Sequence, residues 1–171
     1  MNRVITFCSG ILSVLLLVPK VAEATKISGT ISSTMSISED SQLAGDVTCT
    51  VTGAPCLDIV AANVTLDLNG FSITGQGDPQ TGCSGTSGSG TEQGIRILSQ
   101  TAVTVRGPGI VQRFRNHGVV INASTGTTVT GITTSTNCNS GIFLTGGASL
   151  SVLEGNISIR NGNLNAPCGG I

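Results

Sequence analysis

The sequence predicts an all-β solenoid, and three observations carry that expectation. A Gly-Ile-x-Ile pattern recurs as Gly94-Ile95-Arg96-Ile97, Gly118-Val119-Val120-Ile121 and Gly141-Ile142-Phe143-Leu144, and opens again at Gly170-Ile171. The intervals are 24, 23 and 29 residues. A second pattern keeps step with it: Thr104-Val105-Arg106-Gly107, Thr128-Val129-Thr130-Gly131 and Ser151-Val152-Leu153-Glu154-Gly155. Two short strands locked to one period of about two dozen residues describe chain turns that stack on one another. The third observation is composition. Gly, Ser, Thr, Asn and β-branched residues dominate while Trp and Tyr are absent, a mixture suited to short strands and tight turns.

The first 24 residues stand apart from this pattern. Met1-Asn2-Arg3 gives a positive start, Val4 to Val18 is an apolar run, and Ala22-Glu23-Ala24 supplies the small-x-small pattern of a cleavage site. The stretch is too short and broken for a membrane span. Cys8 lies within the apolar run, which argues against a lipoprotein anchor. The expectation is a signal peptide over 1–24, cleaved after Ala24, and a secreted product that is extracellular, periplasmic or on the cell surface. An intact N-terminus on the exported chain, read by mass spectrometry, would refute it.

The remaining chain fits one domain. Of the eight Lys and Arg residues, Arg3 and Lys20 belong to the leader, and the rest are outnumbered by acidic side chains. Such a charge balance offers little to nucleic acid or to an anionic membrane. Neither Cys-x-x-Cys nor paired His occurs, so no metal and no cofactor is expected. Five cysteines follow the leader. Cys49 and Cys56 are close enough to staple a turn. Cys138 and Cys168 precede Gly141 and Gly170 by three and two residues, so stacking would bring them together as a second pair. Cys83 is then left over, which suggests a free thiol, a partner chain or a missing stretch of sequence.

Within each repeat the apolar residues alternate, so Ile95 and Ile97 face one way with Arg96 between them, and Val103 and Val105 do the same around Thr104. Asn116 and Asn139 each stand two residues before a glycine and would stack as an amide ladder, with the glycines adopting a corner conformation that other residues resist. The alignment extends backward: Leu57-Asp58-Ile59 matches Ile95-Arg96-Ile97, and Val64-Thr65-Leu66-Asp67 matches Val103-Thr104-Val105-Arg106. That register sets Asp58 beside Arg96 and Asp67 beside Arg106, about 4.8 Å apart. The Gly/Ser/Thr-rich stretch 76–93 interrupts the pattern and reads as a surface insertion. Residues 25–51 would form first strands and a cap, and 52–171 the repeating body.

The run Asn63-Val64-Thr65-Leu66-Asp67-Leu68-Asn69-Gly70-Phe71-Ser72-Ile73-Thr74-Gly75, followed by Val103-Thr104-Val105-Arg106-Gly107, resembles the early coils of bacterial repeat proteins in the pectin-lyase-like superfamily. The resemblance covers roughly Val47 to Ile171. It implies a right-handed single-stranded parallel β-helix with about 23–24 residues per coil and roughly four to five coils. A left-handed hexapeptide helix is the rival, but intervals of 23 and 29 are not multiples of six. Cys168-Gly169-Gly170-Ile171 starts a new coil at the end of the sequence, which suggests either the N-terminal part of something longer or self-association through an open coil.

In the catalytic members of that superfamily, substrate lies along the outside of one stacked sheet. The equivalent outward column here is Asp58, Arg96, Val120 and Phe143. A lyase would need calcium-binding carboxylates beside a base, and a hydrolase two carboxylates about 5–9.5 Å apart. Neither set is complete, so no catalytic residue is assigned. Asp58 with Arg96 reads either as a fragment of such a site or as a ladder ion pair. Arg113-Phe114-Arg115-Asn116-His117 concentrates positive charge and holds the only His. Arg96, Arg113, Arg115 and His117 are therefore the candidate ligands for an acidic polysaccharide, against the plainer reading of a solvated turn. The expected function is a secreted scaffold, with the N-terminal part of a polysaccharide lyase, hydrolase or epimerase as the alternative.

Overall fold

The computed structural model describes residues 23–79, 83 and 91–162. Among them every regular element is a strand: β1 (Thr25–Ile31), β2 (Met35–Ile37), β3 (Ser41–Cys49), β4 (Leu57–Ile59), β5 (Thr65–Asp67), β6 (Ser72–Thr74), β7 (Ile95–Leu98) and β8 (Thr104–Arg106). These are followed by β9 (Ile110–Gln112), β10 (Val119–Asn122), β11 (Thr128–Thr130), β12 (Thr133–Ser135), β13 (Ile142–Thr145), β14 (Val152–Glu154) and β15 (Ile157–Ile159). No helix among the described residues is long and apolar enough to cross a membrane.

All named pairings are parallel, and most join strands about one repeat apart. One sheet has the order β13-β10-β7-β4-β2. The other is built around β3, which is long enough to serve two neighbours: Ser41 and Gln42 pair with β5, while Val47 and Thr48 pair with β6. From these two footholds run the ladders β5-β8-β11-β14 and β6-β9-β12-β15. A parallel sheet that bends back on itself in this way encloses its inward side chains between strand rows. Chain turns without crossover helices produce the curl, because each strand finds its partner in the next repeat.

The Gly-Ile-x-Ile copies are in step. Leu57, Ile95, Val119 and Ile142 form one inward column, and Ile59, Ile97, Ile121 and Leu144 another. Leu66, Val105, Val129 and Leu153 supply the column on the facing ladder. Nearly all of these side chains are buried, apart from Leu144 and Leu153 in the last repeat. Burial of one aliphatic side chain is worth roughly 1.5–3 kcal/mol, and these columns repeat that gain at each turn.

Three features differ from the sequence reading. Each repeat carries three strands and not two, the third row being β6, β9, β12 and β15. Its inward residues run Ile73, Val111, Thr134 and Ser158, so the apolar mark that identifies a strand fades along the chain. Cys138 is bonded to Cys83 and not to Cys168, so Cys83 is no free thiol, while Cys49 is bonded to Cys56. Cys168 lies outside the described residues. Finally, Gly94 and Gly118 have ordinary backbone angles. A Cβ on Gly94 would lie 2.6 Å from the Gly118 carbonyl oxygen, and one on Gly118 would lie 2.7 Å from that of Gly141. Close stacking of successive turns requires these glycines, not an unusual φ.

The corners that do need left-handed backbone lie elsewhere and also form columns. Ala102, Gly126 and Leu150 occupy one, and Arg113, Thr136 and Arg160 another, all with φ between 52° and 68°. The expected amide ladder is present, with Asn139 Nδ2 donating to Asn116 Oδ1 at 2.6 Å.

Candidate functional site

The outward column of the first sheet holds the residues that a groove would use. Strands β4, β7, β10 and β13 set Asp58, Arg96, Val120 and Phe143 side by side, because every second residue of a strand faces the same way and the register is unbroken. Arg96 donates to Asp58 through two bonds, Nε to Oδ1 at 2.9 Å and a terminal nitrogen to Oδ2 at 2.6 Å. This bidentate pair raises the Arg96 pKa further above its usual range. Val120 is 4% exposed although it lies on the outer face. The column therefore passes from a neutralised ion pair to a covered aliphatic side chain and then to a half-covered ring.

Each remaining candidate is also engaged within the chain. Arg115 donates to Glu92 Oε2 at 2.9 Å, and Glu92 in turn accepts the N–H of Gly53 through Oε1 at 2.8 Å. Glu92 is itself buried, so this pair is shielded from water. A terminal nitrogen of Arg113 lies 3.6 Å from Asp78 Oδ2. Phe114, between the two arginines, is buried against Gly75 and Gly94. The cations of this run face carboxylates at the two ends of the 76–93 insertion.

His117 stacks on Phe143, with ring centroids 4.3 Å apart and planes 4° from parallel. Its Nδ1 accepts the N–H of Ser140 at 3.1 Å, which leaves the ring proton on Nε2 in the neutral form. Burial lowers the His117 pKa to about 4. At neutral pH it is an uncharged packing element with one polar edge, unsuited to hold a carboxylate.

On the facing ladder, Arg106 pairs with Asp67 at 2.8 Å. An open cleft of about 180 Å³ beside this pair is lined by Asp40, Gln42, Thr65, Asp67 and Arg106. Asp40 Oδ1 accepts the Thr65 N–H at 2.7 Å and Asp67 Oδ1 that of Asn69 at 2.8 Å, so both carboxylates hold backbone in place. A second, enclosed space of about 10 Å³ lies between Cys49, Cys56, Gly75, Glu92 and Phe114, room for one water at most. Among the described residues, no three His, Cys, Asp or Glu side chains converge as metal ligands.

Sequence reasoning paired Asp58 with Arg96 and Asp67 with Arg106, but missed Asp78 and Glu92. Both lie in the irregular insertion, where no periodicity marks a partner. Comparison with family models, curated proteins and solved structures returned no match. The geometry above is what any functional reading has to rest on.

Proposed function

We propose that the chain is an exported structural scaffold, a right-handed parallel β-helix of the pectin-lyase-like type without catalytic chemistry in these residues. One observation carries this reading: four of the five arginines among the described residues, Arg96, Arg106, Arg113 and Arg115, each face a carboxylate of the same chain, and only Arg160 does not. A lyase or hydrolase surface keeps its charges pointed at substrate, whereas here they join adjacent turns and pin the insertion. Two disulfides support an oxidising compartment, in keeping with the leader-like first 24 residues.

The test is incubation of the purified mature protein with polygalacturonate and with a neutral glucan, following both retention and chain cleavage. A scaffold leaves both polymers intact. It also gives Arg113→Ala/Arg115→Ala the same retention as the parent chain, with a lower melting temperature because the Asp78 and Glu92 contacts are lost. Release of unsaturated or reducing ends would overturn the reading in favour of the enzyme alternative. Retention on polygalacturonate that the double variant abolishes would show that the arginines serve a ligand after all.

A further inference from the structure

The cleft beside Asp67 and Arg106 lies where the chain passes from its leader into the first strand. It has a volume of about 180 Å³, and its wall includes Ala24, Asp40, Gln42, Thr65, Asp67 and Arg106. Pockets for small ligands generally run to about 300–1,000 Å³, so a molecule of that size would stand largely outside it. Ala24, itself half-buried, is the residue after which the proposed leader would be cut. Export would thus remove one wall of the cleft and put a new chemical group beside it.

Thr25 opens β1 and is held by both its backbone and its side chain. Its N–H donates to the Asp40 carbonyl at 2.9 Å, and its hydroxyl donates to Glu39 Oε1 at 2.5 Å. The ladder to β3 starts at the same residue, with Thr25 opposite Ser41 and Lys26 opposite Gln42. These contacts keep the Thr25 nitrogen in place when the bond to Ala24 is broken. Hydrolysis of that bond puts the hydroxyl of water on the Ala24 carbonyl carbon and leaves an amine on Thr25, protonated at neutral pH. One of its three N–H groups retains the Asp40 carbonyl, and the others spread over the side where Ala24 stood, which is the cleft.

The charged side chains around this position are Glu39, Asp40 and Asp67 with Lys26 and Arg106. Both cations are engaged, since Lys26 Nζ donates to Gln42 Oε1 at 2.8 Å and Arg106 pairs with Asp67. Asp67 is also spent: Oδ2 faces Arg106 and Oδ1 accepts the Asn69 N–H. Asp40 differs. Its Oδ1 accepts the Thr65 N–H at 2.7 Å, while its Oδ2 has no bond among the described residues. Cleavage removes the negative Glu23 and adds a positive amine, so the charge at this point of the chain rises by two units. We infer that the cleft is the seat of the mature N-terminus: the cut after Ala24 delivers the α-ammonium of Thr25 to the remaining oxygen of Asp40, and the ligand of this site is the chain's own terminal amine. The inference rests on the proposed leader and goes beyond the scaffold reading, because it gives the cut a structural consequence. One carboxylate then ties the start of β1 to β5 across the intervening β3.

The test uses the chain 25–171 released from a fusion so that it begins at Thr25. N-terminal sequencing of the exported product is a separate measurement: a start at another residue would overturn the leader reading, whereas the released chain tests the contact itself. The rate at which a neutral activated ester acylates the α-amine reports how much of that amine is unprotonated and unbound. At pH 7 and low salt it should be about threefold slower in the parent chain than in Asp40→Asn, a factor within the range of an exposed ion pair. Asparagine keeps an oxygen for the Thr65 N–H, so this variant retains the fold. In a chain that begins at Ala24 the same substitution should make no difference, because the ammonium stands one residue away from the cleft. Stability should follow the same charge. The folded amine holds its proton more tightly than the unfolded one, so its contribution is complete below about pH 7.7–8.0 and is lost as pH rises beyond that range. The melting temperature of the parent should therefore fall between pH 7 and about pH 9, while that of the chain acetylated on Thr25 should hold steady. Equal acylation rates in the parent and Asp40→Asn, an equal effect of Asp40→Asn in the chain from Ala24, or the same decline after acetylation would overturn the inference.

Discussion

At the scale of single residues, the contacts that matter are those between one turn and the next. A Cβ on Gly118 would lie 2.7 Å from the Gly141 carbonyl oxygen and 2.8 Å from the Asn137 side-chain amide nitrogen. Gly118→Ala must therefore push two turns apart. We expect a loss of about 2 kcal/mol, within the range for overpacking, measured by urea unfolding. His117 sets a pH dependence. Its folded pKa of about 4 lies below the ordinary value of 6.5, so between these values the unfolded chain binds the proton more readily. The contribution of the Phe143 stack and the Ser140 bond is fully present above pH 6.5 and is lost as pH falls toward 4. The melting temperature should decline over that window, and His117→Phe, which keeps the stack but does not titrate, should flatten the decline. An equal slope in both proteins would place the titrating group elsewhere.

At the scale of elements, the side-chain ties that hold the insertion to the stack include Cys83 to Cys138, Arg113 to Asp78, and Arg115 to Glu92. The disulfide closes a loop with a sequence separation of 55 and should contribute the most. Cys83→Ser/Cys138→Ser is expected to cost about 2–4 kcal/mol in denaturant unfolding, against at most about 1 kcal/mol for the more exposed Arg113–Asp78 pair. The strand rows differ in how openly the residues declare them. The rows through Ile97 and Val105 announce themselves because aliphatic residues fill the inward position at a constant interval. The row from Ser72 to Ile159 does not, since its inward positions pass from Ile73 to Ser158 and hydrogen bonds replace apolar contact. Thr134 Oγ1 donating to Ser158 Oγ at 3.3 Å is such a replacement.

At the scale of the whole molecule, stability is shared between neighbouring turns, and a break in one inward column reaches both sides. Ile97 has no exposed surface and stacks between Ile59 and Ile121. Ile97→Asp would bury a carboxylate without a partner, at a cost of several kcal/mol against a total stability of about 5–15 kcal/mol for a typical domain. Loss of the cooperative transition in circular dichroism is the expected outcome. Val105→Asp, equally buried on the facing ladder, should behave alike. A variant that melts like the parent would show that these columns do not hold the molecule together.

The constant spacing was enough to read the class of fold and the inward columns, and matching Leu57-Asp58-Ile59 and Val64-Thr65-Leu66-Asp67 to the later copies across the insertion was enough to read the pairs of Asp58 with Arg96 and Asp67 with Arg106. A period near 24 residues converts directly into register, because parallel strands without crossover helices can only pair with the next turn. What needed the three-dimensional arrangement were contacts that carry no period. The mate of Cys83, the carboxylates opposite Arg113 and Arg115, and the ring beneath His117 follow from how an irregular insertion and a corner lie against the stack. The reason is physical: backbone repetition fixes where strands go, while side chains of an insertion settle by local charge and packing, which leave no regular mark along the chain.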